Sequence, residues 1–147
     1  MRDAIVIPAV HQVPPIQRAG IKAVIVDDSE QYLEALWALL QFENLVDVIG
    51  GAVSGMGAVK AVAEFDPDLV LMDVHMSPMS GPAAANIISA MYPRTKVILM
   101  SSEDSYQLRA ECLESGAHSF VSKPNLMKEL PIAIEQLGLR GPRPTEN

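Results

Sequence analysis

The sequence predicts a doubly wound α/β fold, a parallel sheet with helices on both faces. Three observations carry this. Apolar runs alternate with stretches of helical spacing five times in succession. The run Leu69-Val-Leu-Met72 is continuously apolar, as in a strand covered on both sides. Four of the five runs stop at chemically unusual residues, which in a parallel sheet gather on one edge, where ligands and chemistry sit.

The elements follow in order. Residues 1–19 hold prolines and no clear periodicity, and read as a flexible extension with a short strand at Ala4–Ile7. Ile21–Val26 is the first strand, ending at Asp27-Asp28-Ser29. Tyr32, Leu33, Leu36, Trp37, Leu39 and Leu40 recur at helical steps, and Ser29 or Asp28 can cap that helix. Val46–Val53 is a second strand, weakened by Gly50 and Gly51. Ser54–Phe65 follows as a helix, with Val59, Val62 and Ala63 expected toward the core. The third strand runs to Asp73; Ser77, Pro78, Ser80 and Gly81 mark a loop. Pro82 opens a helix to Met91, where its missing N–H costs nothing. Lys96–Met100 is the fourth strand, and Ser105–Ser115 a helix stopped by Gly116. Ala117–Val121 is the fifth strand, ending at Ser122-Lys123-Pro124. Asn125 can cap a last helix to about Leu137, which must start late or bend at Pro131. The unit spans residues 20–138, leaving 139–147 as a polar tail.

Composition narrows the function classes. Apolar residues make up 49% of the 147, too many for a wholly disordered chain. The net charge of −7 disfavours nonspecific nucleic-acid binding, which needs a basic face. No apolar run reaches the ~18–20 residues that span a bilayer, and no signal peptide is visible, so a cytoplasmic protein without a membrane partner is expected. The single cysteine, Cys112, excludes an intramolecular disulfide and reads as core; His11, His75 and His118 show no zinc spacing.

The strand ends bring together Asp27, Asp28, Asp73, Ser101 and Lys123. Two like charges ~4 Å apart repel by roughly 4 kcal/mol at an effective dielectric near 20. Three clustered carboxylates therefore call for a cation, a raised pKa, or both. Mg²⁺, a hard cation with oxygen ligands, suits them. An ionised Asp can attack phosphorus to form an aspartyl phosphate, with Lys123 and the Ser101 hydroxyl available to phosphoryl oxygens. Taken singly, each residue has a plainer role as a helix cap, a loop residue or a surface lysine.

This constellation resembles the receiver domain of bacterial two-component response regulators, over about residues 20–138. Gly81 lies eight residues after Asp73, Lys123 lies 22 after Ser101, and Met76, Met79 and Phe120 also occupy family-like positions. The resemblance implies a five-stranded sheet of flavodoxin-like order 2-1-3-4-5. It makes Asp73 the phosphoacceptor, Asp27, Asp28, Asp73 and the His75 backbone carbonyl the Mg²⁺ ligands, and Phe120 a switch residue that turns inward behind Ser101. It further implies a cis Lys123–Pro124 bond. Two departures stand out: Ser77-Pro78 moves the loop proline one position on, and Ser101 replaces a more frequent threonine.

The expected function is that of a single-domain response regulator and not an enzyme. It takes a phosphoryl group from a histidine kinase or histidine phosphotransfer protein, then signals by a switch to a protein partner or relays the phosphate. The resemblance places kinase docking near Ser29, Tyr32, Leu33, Pro124 and Asn125. His75 and Glu103, by position, are expected to modulate dephosphorylation. Two rivals are a receiver-like module independent of phosphorylation and an Asp-nucleophile phosphohydrolase. The second needs an Asp where the sequence has His75.

Overall fold

A computed structural model describes residues 19–141. The expected extension and its strand at 4–7 fall outside them except for Ala19, and the tail except for residues 139–141. Strands β1 (Lys22–Val26), β2 (Asp47–Ala52), β3 (Leu69–Asp73), β4 (Lys96–Ser101) and β5 (Ser119–Ser122) alternate with five helices. These are α1 (Glu30–Glu43), α2 (Gly55–Phe65), α3 (Gly81–Met91), α4 (Tyr106–Glu114) and α5 (Leu126–Gln136). All strand pairs are parallel, in the order β2-β1-β3-β4-β5.

Strand parity divides the core. Val24, Val26, Val70, Met72, Val97, Leu99 and Phe120 point to the face covered by α2, α3 and α4. Ala23, Ile25, Leu69, Leu71, Ile98, Met100 and Val121 point to the face covered by α1 and α5. Every β3 residue is buried, as expected for a central strand covered on both faces.

Four helices start the same way. Ser29, Ser54, Ser80 and Ser105 each accept the backbone N–H three residues on, a cap that contributes about 1 kcal/mol apiece. Asn125, the expected cap of α5, makes no such bond. Instead Ser122 caps a 3₁₀ turn, Lys123–Asn125, that precedes α5. α5 then runs through Pro131 without a late start. Gly116 ends α4 at φ 113°, a conformation that favours glycine.

Three further expectations are corrected. On α2 the buried stripe is Ala58, Ala61 and Val62, and half-buried Val59 packs against the core as expected, but Ala63 is exposed, since position 63 lies off the i, i+3, i+4 stripe. The cis peptide is Ser77–Pro78, not Lys123–Pro124; Pro124 instead occupies the first turn of the 3₁₀ helix, where its fixed φ fits. Leu33, expected beside the docking contact, is buried against the sheet at 4% exposure and so lies beneath the helix surface rather than on it.

Gly50 and Gly81 have steric reasons. β2 bulges opposite Ala23 and Val24, and the Phe65 ring fills the space a Cβ at Gly50 would take. A Cβ at Gly81 would fall onto the carbonyl oxygen of Asp73, while the Gly81 N–H donates to the Val74 carbonyl at 2.9 Å. The start of α3 is thus pressed onto the end of β3, which holds the loop after Asp73 against the carboxyl edge of the sheet.

Candidate phosphoacceptor site

Asp27 and Asp28 follow β1, Asp73 ends β3, Ser101 ends β4 and Lys123 follows β5. The parallel sheet brings them to one edge. Carboxylate oxygens of Asp27, Asp28 and Asp73 lie within 4.8 Å of one another. Asp27 and Asp73 are buried, at 2% and 6% exposure, and Asp28 is exposed.

Lys123 closes the cluster. Its Nζ donates to Asp27 Oδ2 at 2.8 Å and lies 3.2 Å from Asp73 Oδ1. Its ammonium also sits 4.2 Å from the centroid of the Tyr32 ring. The other Asp27 oxygen accepts the Ser29 N–H at 2.9 Å, which aims the carboxylate and tightens the turn into α1. Asp27 therefore binds the lysine with one oxygen and the α1 entry with the other.

Charge at this edge is unbalanced: three carboxylates and one ammonium sum to −3 + 1 = −2. Burial, and then the Asp27 charge, push the Asp73 carboxyl above its ordinary range, against the pull of Lys123. Burial draws the Lys123 ammonium down, but its hydrogen bond and charge contact with Asp27, and then Asp73, outweigh this and leave it raised. Burial also raises the Tyr32 hydroxyl. A hard divalent cation fits this donor set, because it supplies the two positive charges the cluster lacks to carboxylate oxygens already gathered.

Ser101 is fully buried and pairs with Ser122 across β4 and β5. Its Oγ accepts the Glu103 N–H at 3.0 Å, so the hydroxyl hydrogen stays available to another acceptor. Phe120, expected to turn inward, already lies in the core at 6% exposure, beneath the Arg109 guanidinium. His75 is largely exposed, and its Nε2 lies 3.8 Å from Glu103 Oε1. Cys112 is buried, as expected, and burial pushes its thiol up to about 11. Two contributions escaped the sequence reading. Tyr32 was legible as a helix residue but not as the ring under Lys123, although its place in the first turn after Asp28 puts it at this edge. Arg109, with Asp104 and Glu129, builds an ion network that no local spacing in the sequence signals, since Asp104 lies before the helix that carries Arg109.

A sequence profile of the response regulator receiver domain matches residues 23–135. The chain is 36% identical over 103 residues to the transcriptional regulatory protein LnrK of Bacillus subtilis, covering 70% of this chain and 47% of that protein. It spans about half the length of the curated relatives it matches; the stand-alone organisation expected from sequence is thus not their architecture. Among solved structures, the response regulator domain of Thermotoga maritima CheB superposes with TM-score 0.65 at 29% identity, covering 80% of this chain and 91% of that one. A chain of the CheX–CheY–BeF₃–Mg²⁺ complex from Borrelia burgdorferi superposes with TM-score 0.70 at 25% identity, covering 82% and 90%. Among the described residues no helix is long and apolar enough to cross a membrane.

Proposed function

The chain belongs to the response regulator receiver family, and from that premise we propose that Asp73 accepts a phosphoryl group from a histidine kinase or histidine phosphotransfer protein. The observation that carries this is the placement of Asp73: buried, next to Asp27 and Asp28, with the Lys123 ammonium 3.2 Å from its oxygen. In the transfer, an Asp73 oxygen forms a bond to phosphorus as the bond from phosphorus to the donor's imidazole nitrogen breaks. The electron pair of the broken bond stays on that nitrogen.

Each residue has a part. Lys123 holds one phosphoryl oxygen and offsets the charge arriving on Asp73. Ser101 donates its hydroxyl hydrogen to another. Asp27 positions Lys123 through the 2.8 Å bond. Asp27, Asp28, Asp73 and the His75 carbonyl would hold Mg²⁺. When bound, it supplies charge neutralisation for a phosphoryl group entering a site that already carries a surplus of negative charge. The similar structure solved as a complex with BeF₃ and Mg²⁺ supports this reading.

The protein acts as a switch rather than an enzyme. The position that a phosphohydrolase would fill with a second Asp holds His75, largely exposed and turned toward Glu103. His75, two residues after Asp73, and Glu103, two after Ser101, tune how long the acyl phosphate lasts; an unchanged decay rate in His75→Ala would sink that assignment. A groove of about 300 Å³ lined by Tyr32, Ala35, Leu36, Leu39, Lys123 and Pro124 opens beside the site, and the phosphodonor protein docks there. The phosphorylated state is read by a protein contact on the α4–β5–α5 side. With a formal charge of −7, no direct nucleic-acid contact is assigned to this domain.

Intact mass after incubation with acetyl phosphate tests the assignment. The wild type should gain one phosphoryl group with Mg²⁺ and none after chelation. No gain by a folded wild type would leave a receiver-like module that works without phosphorylation.

A further inference from the structure

Outside the acidic cluster, one cation ties together the loop after Ser101 and the strand before Lys123. The Arg109 guanidinium grips both oxygens of Asp104, with Nε 2.6 Å from Oδ1 and Nη2 3.0 Å from Oδ2. Asp104 lies three residues after Ser101. The same Nη2 reaches Glu129 Oε1 on α5 at 3.3 Å. That oxygen also accepts the Ser122 N–H at 2.9 Å, and Ser122 immediately precedes Lys123. The guanidinium carbon lies 4.7 Å from the centre of the Phe120 ring.

The network is poorly explained as a stability device. Arg109 and Asp104 are 36% and 41% exposed, and exposed pairs contribute little. Its particular quality is geometric. A two-pronged guanidinium fixes direction as well as distance, which a lysine cannot do. It joins the backbone next to Ser101 with that next to Lys123, and it roofs the ring of Phe120.

We propose that Arg109 couples the phosphoryl site to the α4–α5 face, an inference that rests on Asp73 being the phosphoacceptor. Ser101 Oγ accepts the Glu103 N–H, so a shift of Ser101 toward Asp73 carries Glu103 and Asp104 with it. Asp104 then pulls Arg109. Arg109 in turn shifts its cover over Phe120 and its hold on Glu129. Coupling of this kind needs an element with two arrangements that both ends bias. The guanidinium, shared between α4, α5 and the β4–α4 loop, is that element. Without it, the loop and the α5 end move independently.

The test compares amide and Phe120 ring NMR shifts before and after acetyl phosphate with Mg²⁺, alongside intact mass, in wild type, Arg109→Gln, Arg109→Lys and Asp104→Asn. Each protein should gain one phosphoryl group and show the shifts around Asp73. The wild type should also shift along α4, β5 and α5. In Arg109→Gln and Arg109→Lys those distant shifts should fall by about half or more. Asp104→Asn, which spares the helix packing, should reduce them too and serves if the Arg109 variants fail to fold. Distant shifts of wild-type size in Arg109→Gln or Asp104→Asn would overturn the coupling alone. No mass gain in the wild type would overturn the phosphoacceptor reading, and the coupling with it.

Discussion

The two edges of the sheet use the same kinds of polar residue in opposite ways. At the amino edge, four of them beside strand starts, Asp47, Asp68, Thr95 and His118, answer backbone groups. Asp47 accepts the N–H groups of Ala19 and Gly20 at 2.8 and 2.7 Å, and Asp68 accepts that of Lys22 at 2.8 Å. The buried Thr95 hydroxyl donates to the Pro67 carbonyl at 2.9 Å, and His118 Nδ1 accepts the Val97 N–H at 3.0 Å. At the carboxyl edge, Asp27, Asp28 and Asp73 face one another, with Lys123 the cation that bridges Asp27 and Asp73. Backbone donors satisfy a carboxylate without competing for it, so the amino edge is stable as it stands. Clustered carboxylates are costly until a cation arrives, so the carboxyl edge is the one left poised for a ligand. An aspartate's chemistry here follows from what faces it, not from its type.

The largest effect that sharpens this contrast is Asp73→Asn. It should abolish phosphoryl gain by intact mass, whereas Asp68→Asn should leave the gain unchanged. Gly81→Ala comes next. Its Cβ would land on the Asp73 carbonyl, and urea unfolding should show a loss of roughly 3 kcal/mol, the upper end for overpacking against backbone. Thr95→Val at the amino edge should cost about 1–3 kcal/mol by the same measurement, because it leaves the Pro67 carbonyl without its buried donor. A negligible loss there would break the view that this edge is held by satisfied polar groups.

The pH dependence of stability separates the edges most finely. Asp73 has a raised carboxyl pKa in the folded state, so between the ordinary value of 3.8 and that raised value the folded chain binds more protons. Its contribution is therefore favourable at low pH and is lost as pH rises through that window. Asp73→Asn should melt higher than wild type near neutral pH without metal, and the gap should close below 3.8. His118 runs the other way. Burial, and then the charge of Lys96, lower its pKa, so its contribution is present above 6.5 and is lost as pH falls toward the depressed value. Replacing His118 should flatten that acid-side decline. If Tm differences for Asp73→Asn grew on acidification, the electrostatic account of the carboxyl edge would fail.

Much of this was legible in the sequence, for identifiable reasons. The β-α alternation and apolar β3 fixed the fold class, since a central parallel strand has few other ways to bury both faces. Asp73, Asp27, Asp28, Ser101 and Lys123 were visible because strand ends converge on one edge. Side-chain partnerships were not visible. Nothing local in the sequence shows that the Tyr32 ring lies under Lys123, or that Glu129 reaches back to the Ser122 N–H across seven residues. The Asn125 cap failed because Ser122 starts a 3₁₀ turn first, and a cap rule cannot choose between two polar residues three apart. Ala63 was misplaced because an alanine-rich helix offers several small apolar positions and little contrast between its faces.

The most direct measurement is chemical localisation of the acyl phosphate. After phosphorylation with acetyl phosphate and Mg²⁺, borohydride reduction converts a phosphorylated aspartate to homoserine, which peptide mass spectrometry places in the chain. Homoserine at position 73 alone is the predicted result. Homoserine at position 27 or 28 would show that the nucleophile had been assigned to the wrong carboxylate. None anywhere, in a folded protein, would contradict the phosphoacceptor site itself.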